Sequence, residues 1–361
     1  MTTLTLRPAD ECTYDVVALG EIMLRLDPGE GRIRTARSFT PWEGGGEYNV
    51  ARGLASVFGR RAAVVTALTD NEVGHLVASL IRSGDVDTTH IRWRPFDGLG
   101  LASRNGLNFT ERGFGVRGAL GVSDRAGTAA SQMRPGDVDW DHLFGDLGVR
   151  WFHTGGVFAA LSSTTAATVL EAVAAAQRHG TVVSYDLNYR PSLWSHRGGC
   201  GAAAVLNQEI APHVNVLIGN EGHFGAVLGT SPDHGPGGPV DFEDVVAGAV
   251  SAFPSLQVLA ATSRTVRSAS SNGWAAQAWS RDTGSVVATP FDLDVLDRVG
   301  GGDSFVAGLA AALLDGRDLR TAVQIGVAHG ALAMTTPGDV SMATQAEVLA
   351  LASGTNASER R

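Results

Sequence analysis

Short apolar runs alternate along the chain with longer stretches of helical periodicity. Residues 15–20 form a mostly apolar run that ends at a glycine, which predicts a buried first strand. Small and apolar residues after Gly46 predict a helix that ends at Gly59, and residues 62–68 predict a second strand. Together these elements indicate a β-α-β unit, which is typical of a parallel sheet.

The same alternation resumes at residue 149 and continues to residues 335–339, where the packed part of the chain is expected to end. It predicts an α/β fold with a central, mostly parallel sheet, and a chain of 361 residues can form one large domain of this kind or two domains. Turn residues at 230–240 indicate a surface loop. The predicted elements are strands at 149–153, 181–185, 214–219, 256–262 and from 273, and helices at 164–179, 241–253, 303–316 and 319–334.

Two further regions alternate apolar and polar residues between glycine-containing turns. Residues 22–43 and 99–125 therefore predict β-hairpins rather than helices. Residues 1–14 and 353–361 are expected to be flexible ends.

The composition narrows the functional classes. A net charge of −9 without a basic tract argues against nucleic acid and anionic membranes as partners, and no apolar run is long enough to span a bilayer. The first 14 residues lack a signal-peptide pattern, which predicts a cytoplasmic protein, and two cysteines make neither a disulfide framework nor a zinc cluster. The chain contains no lysine, which excludes a P-loop, a protein-kinase fold and a Schiff-base enzyme.

Three consecutive glycines, residues 300–302, precede Asp303 and an apolar helical run. Glycines let successive N–H groups converge on one point, and a helix that begins at Asp303 adds unsatisfied amides and the positive end of its dipole. Such an anion pocket beside a carboxylate suits phosphoryl transfer, because the carboxylate can take a proton from the attacking hydroxyl. The spacing alone is equally consistent with a turn in which Asp303 only caps the helix.

The run around these glycines resembles the C-terminal signature of the ribokinase-like (PfkB) sugar kinases, D-T-x-G-A-G-D-x-F. Arg298 replaces the usual Thr and Gly301 the usual Ala, and the matching residues are Asp297, Gly300, Gly302, Asp303 and Phe305. The resemblance implies one kinase domain, residues 15–345, with a ribokinase-like three-layer α/β/α fold and a small β lid made by the two hairpins. It also implies Asp303 as the catalytic base, the amides of Gly300, Gly301 and Gly302 as the anion hole, and a homodimer through the lid.

Gly44–Gly46 and Asn49 are similar to the N-terminal signature of that family, G-G-x-x-x-N-x-A. By this resemblance Gly45 and Asn49 contact the sugar. The alternative is a glycine hinge that binds no ligand.

Polar side chains gather where the predicted strands end, which is where open parallel sheets bind ligands. Residues 186–194 resemble the D-x-N-Y-R-x-x-L-W stretch of 2-dehydro-3-deoxygluconate kinases. The resemblance implies that Asn188 and Arg190 bind the substrate, Arg190 holding a sugar-acid carboxylate through two parallel N–H bonds. An arginine in a structural ion pair is the alternative. The nucleotide-binding residues implied in the same way are Asn220, Thr262, Arg264, Gly300 and Gly302.

Three departures from the family pattern concern the metal, the nucleotide and the sugar. His223 stands where many relatives have a glutamate that helps to organise magnesium, so Glu221 is the candidate ligand. Residues 262–267 replace the T-x-G-x-x-G nucleotide loop, and their two arginines can hold phosphates. Asn108 and Thr110 stand where some keto-deoxy-gluconate kinases have a tyrosine and an arginine.

The sequence therefore predicts an ATP- and Mg²⁺-dependent kinase of a sugar or sugar acid, with 2-dehydro-3-deoxygluconate as the first candidate substrate. Whether it also needs a monovalent cation stays open. The alternatives are a neutral-sugar kinase of the fructokinase or ribokinase type and a catalytically weak sugar-binding regulatory protein on the same fold. A dehydrogenase is disfavoured, because Gly44–Gly46 follows a hairpin and lacks the spaced three-glycine fingerprint.

Overall fold

The computed structural model describes residues 4–220, 224–229 and 241–354, which contain fifteen strands and eleven α-helices. The expected surface loop at 230–240 lies outside these residues, as do Glu221 and His223. The strands are β1 (Tyr14–Leu19), β2 (Met23–Asp27), β3 (Thr40–Gly44), β4 (Ala62–Thr69), β5 (Val86–Asp87), β6 (Ile91–Arg94), β7 (Leu107–Glu111), β8 (Leu120–Asp124), β9 (Val149–Gly155), β10 (Val182–Asp186), β11 (Val216–Asn220), β12 (Val258–Val266), β13 (Ser271–Ser280), β14 (Gly284–Val287) and β15 (Phe291–Asp294). The helices are α1 (Gly46–Ser56), α2 (Glu72–Ser83), α3 (Gly156–Ala159), α4 (Ser163–Arg178), α5 (Pro191–Trp194), α6 (Gly199–Ile210), α7 (Phe224–Leu228), α8 (Phe242–Ala252), α9 (Gly301–Leu314), α10 (Leu319–Ala333) and α11 (Gln345–Ala352).

The main sheet has eleven strands in the order β14-β13-β12-β11-β10-β9-β1-β4-β5, with β15 paired to β13 and β6 to β4. The strands from β12 to β5 run parallel, and β13, β14 and β15 add an antiparallel edge. Val16 packs into the core on one face and Val17 into the core on the other, so residues 16–19 of β1 form a continuous apolar run rather than an alternating one. The predicted three-layer α/β/α fold is confirmed.

A second, four-stranded sheet has the order β3-β2-β7-β8. The pairs β2–β3 and β7–β8 are antiparallel hairpins, and β2 joins them by parallel pairing with β7. Because β2 follows β1 after only a few residues, this sheet stands at the carboxyl end of the parallel strands.

Three expectations about the ends of elements are wrong. Helix α9 begins at Gly301 rather than at Asp303, because Gly300 adopts the left-handed conformation (φ 78°) that starts the helix two residues earlier. The packed part continues past residue 339 into α11, whose Thr344–Glu347 capping box holds its first turn and whose Val348 is buried. Residues 4–13 pack against the domain, with Leu4 and Cys12 buried.

None of the helices in the described residues is long and apolar enough to cross a membrane.

Candidate active site

A cleft of about 580 Å³ opens at the carboxyl ends of the parallel strands, with the second sheet along one side. All the candidate site residues in the described part of the chain line this cleft. They are Gly45, Asn49, Asn188, Arg190, Asn220, Thr262, Arg264, Gly300, Gly301, Gly302 and Asp303. Glu221 lies outside the described residues.

The amino end of α9 points into the cleft. Gly301, Gly302 and Asp303 occupy its first turn, where backbone N–H groups have no intrahelical acceptor, so these amides are available to an anion. The N-cap of α9 is Gly300, and Asp303 is the third residue of the helix. The Asp303 Oδ2 accepts a hydrogen bond of 2.7 Å from Asn49 Nδ2, so the interpretation of Asp303 as a helix cap is wrong.

The Asp303 carboxyl is poised between its two protonation states near neutral pH. Burial raises its pKa to about 7, and the negative charges of Asp186 and Asp339 act in the same direction. The hydrogen bond from Asn49 and the positive charge of Arg190 oppose this rise. A carboxylate with such a pKa is well matched to general-base catalysis at neutral pH.

The first glycine signature packs α1 against the amino end of α9. A Cβ at Gly45 would lie 2.0 Å from the Glu21 carbonyl oxygen, so only glycine fits there. Asn49 accepts the Gly45 N–H at Oδ1 over 3.3 Å, which leaves its Nδ2 free to bind Asp303. At Gly46 a Cβ would lie 3.6 Å from both Asn188 Nδ2 and Asp303 Oδ1, which shows that these two polar groups approach the main chain here. The glycines are therefore part of the site and not a remote hinge.

Asp186, at the end of β10, faces the same cleft. Burial raises its pKa to about 6, against the opposing effects of the Asn188 N–H, which donates to Oδ1 over 3.1 Å, and of Arg190. Arg190 is exposed, and its guanidinium makes no hydrogen bond or ion pair with any other residue that the structure describes. Among these residues, therefore, no acidic side chain forms a structural ion pair with Arg190.

Two arginines line the side of the cleft next to the glycines, Arg264 and Arg298. Burial lowers the pKa of Arg264, and the neighbouring positive charge of Arg298 lowers it further. Neighbouring like charges of this kind favour a bound anion between them. Residues 262–273 form the β12–β13 hairpin instead of a glycine-rich loop, and Arg267 on this hairpin turns away to pair with Asp292. Sequence reasoning thus found Arg264 but missed Arg298, which stands in the signature itself.

Sequence reasoning also missed Glu21, Ser123 and Arg125, which line the cleft. Arg125 Nε donates to Glu21 over 2.8 Å, and Ser123 donates to Asn108 Oδ1 over 3.1 Å. Glu21 directly follows the first predicted strand, which was a usable signal. Asn108, noted as a departure from the family, lines the cleft, whereas Thr110 is buried and accepts a hydrogen bond from Asn108.

The donors available to a divalent cation are few. No group of three or more His, Cys, Asp or Glu side chains in the described residues could hold a metal ion. Mg²⁺ in kinase sites takes one or two carboxylates and completes its coordination with phosphates and waters. The Asp186 carboxylate and the Asn220 amide both line the cleft, and they can supply the few protein ligands that Mg²⁺ needs.

The sequence and the fold of this chain are similar to those of known carbohydrate kinases. The sequence pattern of the pfkB family carbohydrate kinases matches residues 149–346. A 2-dehydro-3-deoxygalactonokinase of Haloferax volcanii is 33% identical over 343 residues, covering 93% of this chain and 96% of the relative. A 2-dehydro-3-deoxygluconokinase of Thermoproteus tenax is 27% identical and covers 91% of each chain. The crystal structure of a 2-dehydro-3-deoxygluconokinase from Thermotoga maritima has a TM-score of 0.83 and 31% identity, covering 94% of this chain and 99% of that chain.

Proposed function

We propose that this chain, which belongs to the pfkB family of carbohydrate kinases, transfers the γ-phosphoryl group of ATP to a hydroxyl of 2-dehydro-3-deoxygluconate. The observation that carries the reaction is the pairing of the Asp303 carboxyl with the free amides of the first turn of α9 in one cleft. The C4 epimer, 2-dehydro-3-deoxygalactonate, is the second candidate substrate, because a relative at 33% identity is named for it.

In this mechanism Asp303 accepts the proton of the attacking hydroxyl. As the hydroxyl oxygen bonds to the γ-phosphorus, the bond from that phosphorus to the β,γ-bridging oxygen breaks and ADP leaves. The proton passes to the Asp303 carboxylate, whose pKa of about 7 allows it to be ionised at working pH and still receive the proton. Asn49 holds the carboxylate in place through its 2.7 Å hydrogen bond.

Backbone amides and arginines stabilise the charge on the moving phosphoryl group. The N–H groups of Gly301, Gly302 and Asp303 add to the positive end of the α9 dipole, and Gly300 bends the chain toward them. Arg264 and Arg298 bind the nucleotide phosphates. Asp186 and Asn220 would hold Mg²⁺, which when bound neutralises charge on the β- and γ-phosphate oxygens.

Arg190 is our candidate for recognising the acid group of the sugar. Arg125 and Arg190 both line the cleft. The Arg125 side chain is only 17% exposed and forms an ion pair with Glu21, so its charge is already neutralised. The exposed Arg190 has no such partner among the described residues, so its planar guanidinium is available to a carboxylate. Gly45, Asn49 and Asn188 would bind hydroxyl groups nearby.

The proposal includes a homodimer formed through the second sheet, which acts as a β lid over the sugar. Asn108 and Ser123 on this sheet line the cleft, as a lid requires. That the protein works in the cytoplasm stays a prediction.

A substrate panel tests the proposal. The two 2-dehydro-3-deoxy sugar acids, fructose and ribose are each incubated with ATP and Mg²⁺, and products are read by mass. We expect phosphorylation of a sugar acid, and a loss of about 100-fold or more in kcat for Asp303→Asn with ATP still bound. Preference for fructose or ribose would favour the neutral-sugar kinase, and absence of any product would favour the sugar-binding regulatory protein.

Arg190→Ala separates the acid from the neutral substrates. Loss of a charge-assisted, bidentate contact is expected to lower kcat/KM for the sugar acid about 10- to 100-fold and to leave any activity on neutral sugars unchanged. Arg320→Ala is the matched control, because Arg320 is an exposed arginine at the start of α10, which follows the end of α9 remote from the cleft. An equal loss on acid and neutral sugars would contradict the role of Arg190.

A further inference from the structure

Arg25, on strand β2 of the second sheet, is fully buried and surrounded by carboxylates. Its Nη1 donates to Asp339, and its Nη2 donates to Asp297 and, over 3.2 Å, to Asp27. Arg112 Nε approaches Asp27 at 3.4 Å. Two guanidinium groups therefore face three buried carboxylates, and Arg25 is the one that bonds to all three.

Two of these carboxylates belong to the segments that shape the anion hole. Asp297 opens the loop that leads to the glycines, and its Oδ1 accepts the Val299 N–H over 3.2 Å. The Asp339 carbonyl oxygen lies 1.9 Å from the position of a Cβ at Gly300, so residue 339 packs directly on the turn that starts α9. Arg25 thus ties β2 to the loops before and after the α9–α10 pair.

The Arg25 guanidinium is needed to hold the Asp297 and Asp339 carboxylates close together, because both are negatively charged. Burial raises the pKa of Asp339, and the negative charge of Asp297 also raises it, whereas Arg25 lowers it. Without Arg25, Asp297 and Asp339 would repel each other inside the protein, and buried charges without a partner are strongly unfavourable. The loop of residues 297–300 would then move away from residue 339.

We propose that Arg25 is a positioning residue for phosphoryl transfer: its guanidinium holds residues 297–300 against residue 339 and so aims the first-turn amides of α9 at the phosphoryl group. The role rests on the function proposed above. Arg25 does not line the cleft, so it acts through the loop and not on substrate. Because it lies on β2, it also joins the second sheet to the phosphate site.

The experiment compares Arg25→Ala and Arg25→Lys with Arg150→Ala. Arg150 is the matched control, a partly buried arginine that binds Asp15 over 3.1 Å at the amino ends of the strands, away from the cleft. Since a displacement of about 1 Å can cost roughly 100-fold in rate, we expect Arg25→Ala to lower kcat about 100-fold per folded molecule, with the sugar KM little changed. Arg25→Lys keeps the charge but not the fork, so its loss is smaller.

Two readouts distinguish positioning from a general loss of stability. Low-millimolar guanidinium chloride should restore part of the kcat of Arg25→Ala and none of any deficit in Arg150→Ala, with urea at equal concentration as the solvent control. Amide hydrogen exchange over residues 297–304 should rise in Arg25→Ala and Arg25→Lys but not in Arg150→Ala. If Arg25→Ala does not fold, Arg25→Lys carries both the kinetic and the exchange measurement.

The proposal is overturned if kcat per folded molecule is unchanged in the Arg25 variants, or if exchange over residues 297–304 matches the parent. The exchange measurement needs no sugar. If the parent phosphorylates none of the sugars, the proposed function fails, while the exchange of the loop still decides whether Arg25 holds it.

Discussion

Asp303 lies among charges of both signs, and their balance decides the pH range in which it can accept a proton. Burial raises its pKa to about 7, helped by Asp186 and Asp339 and opposed by Asn49 and Arg190. Only the ionised form can act as a base, so activity should fall as the pH falls through this value.

We expect the acidic limb of the profile of kcat/KM against pH to lie near pH 7 in the parent. In Asp186→Asn the limb should move to lower pH, because removing a negative neighbour makes ionisation of Asp303 easier. The position of the limb is measured apart from its height, so a general loss of rate does not mimic the shift.

Asp315→Asn serves as the control for this titration. Asp315 lies at the opposite end of α9 with its side chain 41% exposed, so its charge is screened from Asp303. A limb that stays in place in Asp186→Asn, or activity that rises below pH 6, would show that another group controls the profile.

The sequence could reveal functional residues that belong to one short motif. It could not reveal pairs of residues that lie far apart in the chain. Asn49 and Asp303 fall in short motifs whose spacing has a physical meaning, and both line the cleft. Arg25 and Asp339 are 314 residues apart, and no local pattern connects them. Their pairing exists only because β2 and the segment after α10 are packed together by the fold.

At the scale of elements, the three glycines at the amino end of α9 differ in how much space a side chain would have. Gly300 has a φ of 78° and no space for a Cβ beside the Asp339 carbonyl oxygen. A Cβ at Gly301 would meet only the Met334 side chain at 3.0 Å, which can shift, and at Gly302 it would meet nothing. The turn therefore requires glycine at its first position.

Gly300→Ala should accordingly lower kcat by about 100-fold or more. The turn must move to make room for the methyl group, and the first-turn amides of α9 then no longer point at the phosphoryl group. Gly301→Ala should lose much less, since its amide and helical conformation are retained. Steady-state kinetics and thermal unfolding of the two variants provide the measurement.

Gly316→Ala is the control for strain without displacement. Gly316 also has a positive φ of 72°, at the other end of α9, with no neighbour within 4 Å of a Cβ. It should cost roughly 1–2 kcal/mol of stability and leave kcat unchanged. If Gly300→Ala behaves like Gly316→Ala, the geometry of the turn is not what makes the anion hole.

Strands and helices of the main sheet could be predicted because apolar runs and periodic stretches are signals of local sequence. The start of α9 could not, since Asp303 looks like a cap until the conformation of Gly300 is known. The hairpin of β12 and β13 was also missed, because no glycine marks its turn and the pairing continues as far as Val266 and Asn272.

At the scale of the whole molecule, the second sheet has two unlike faces. On β8, Ser123 is paired across from Asn108 and both line the cleft, whereas Leu120 and Val122 alternate with them and are 43% and 47% exposed. The loop between β7 and β8 adds the exposed Phe114. Strand β8 is also an edge of its sheet, so apolar side chains and unpaired backbone groups lie together on the outer side.

An exposed apolar face beside an open strand edge is unfavourable in water, and a second copy of the same sheet would cover both. We therefore expect the parent to be a dimer and Val122→Asp to shift it toward monomer, because burying a carboxylate without a partner opposes association. Light scattering after size-exclusion chromatography, over a range of protein concentrations, measures the mass.

Val287→Asp is the control, since Val287 is 63% exposed on β14 in the other sheet. A parent that is monomeric throughout, or a control that dissociates equally, would rule out the lid as the interface. Sugar KM measured on the same samples shows whether covering the outer face also holds Asn108 and Ser123 over the substrate.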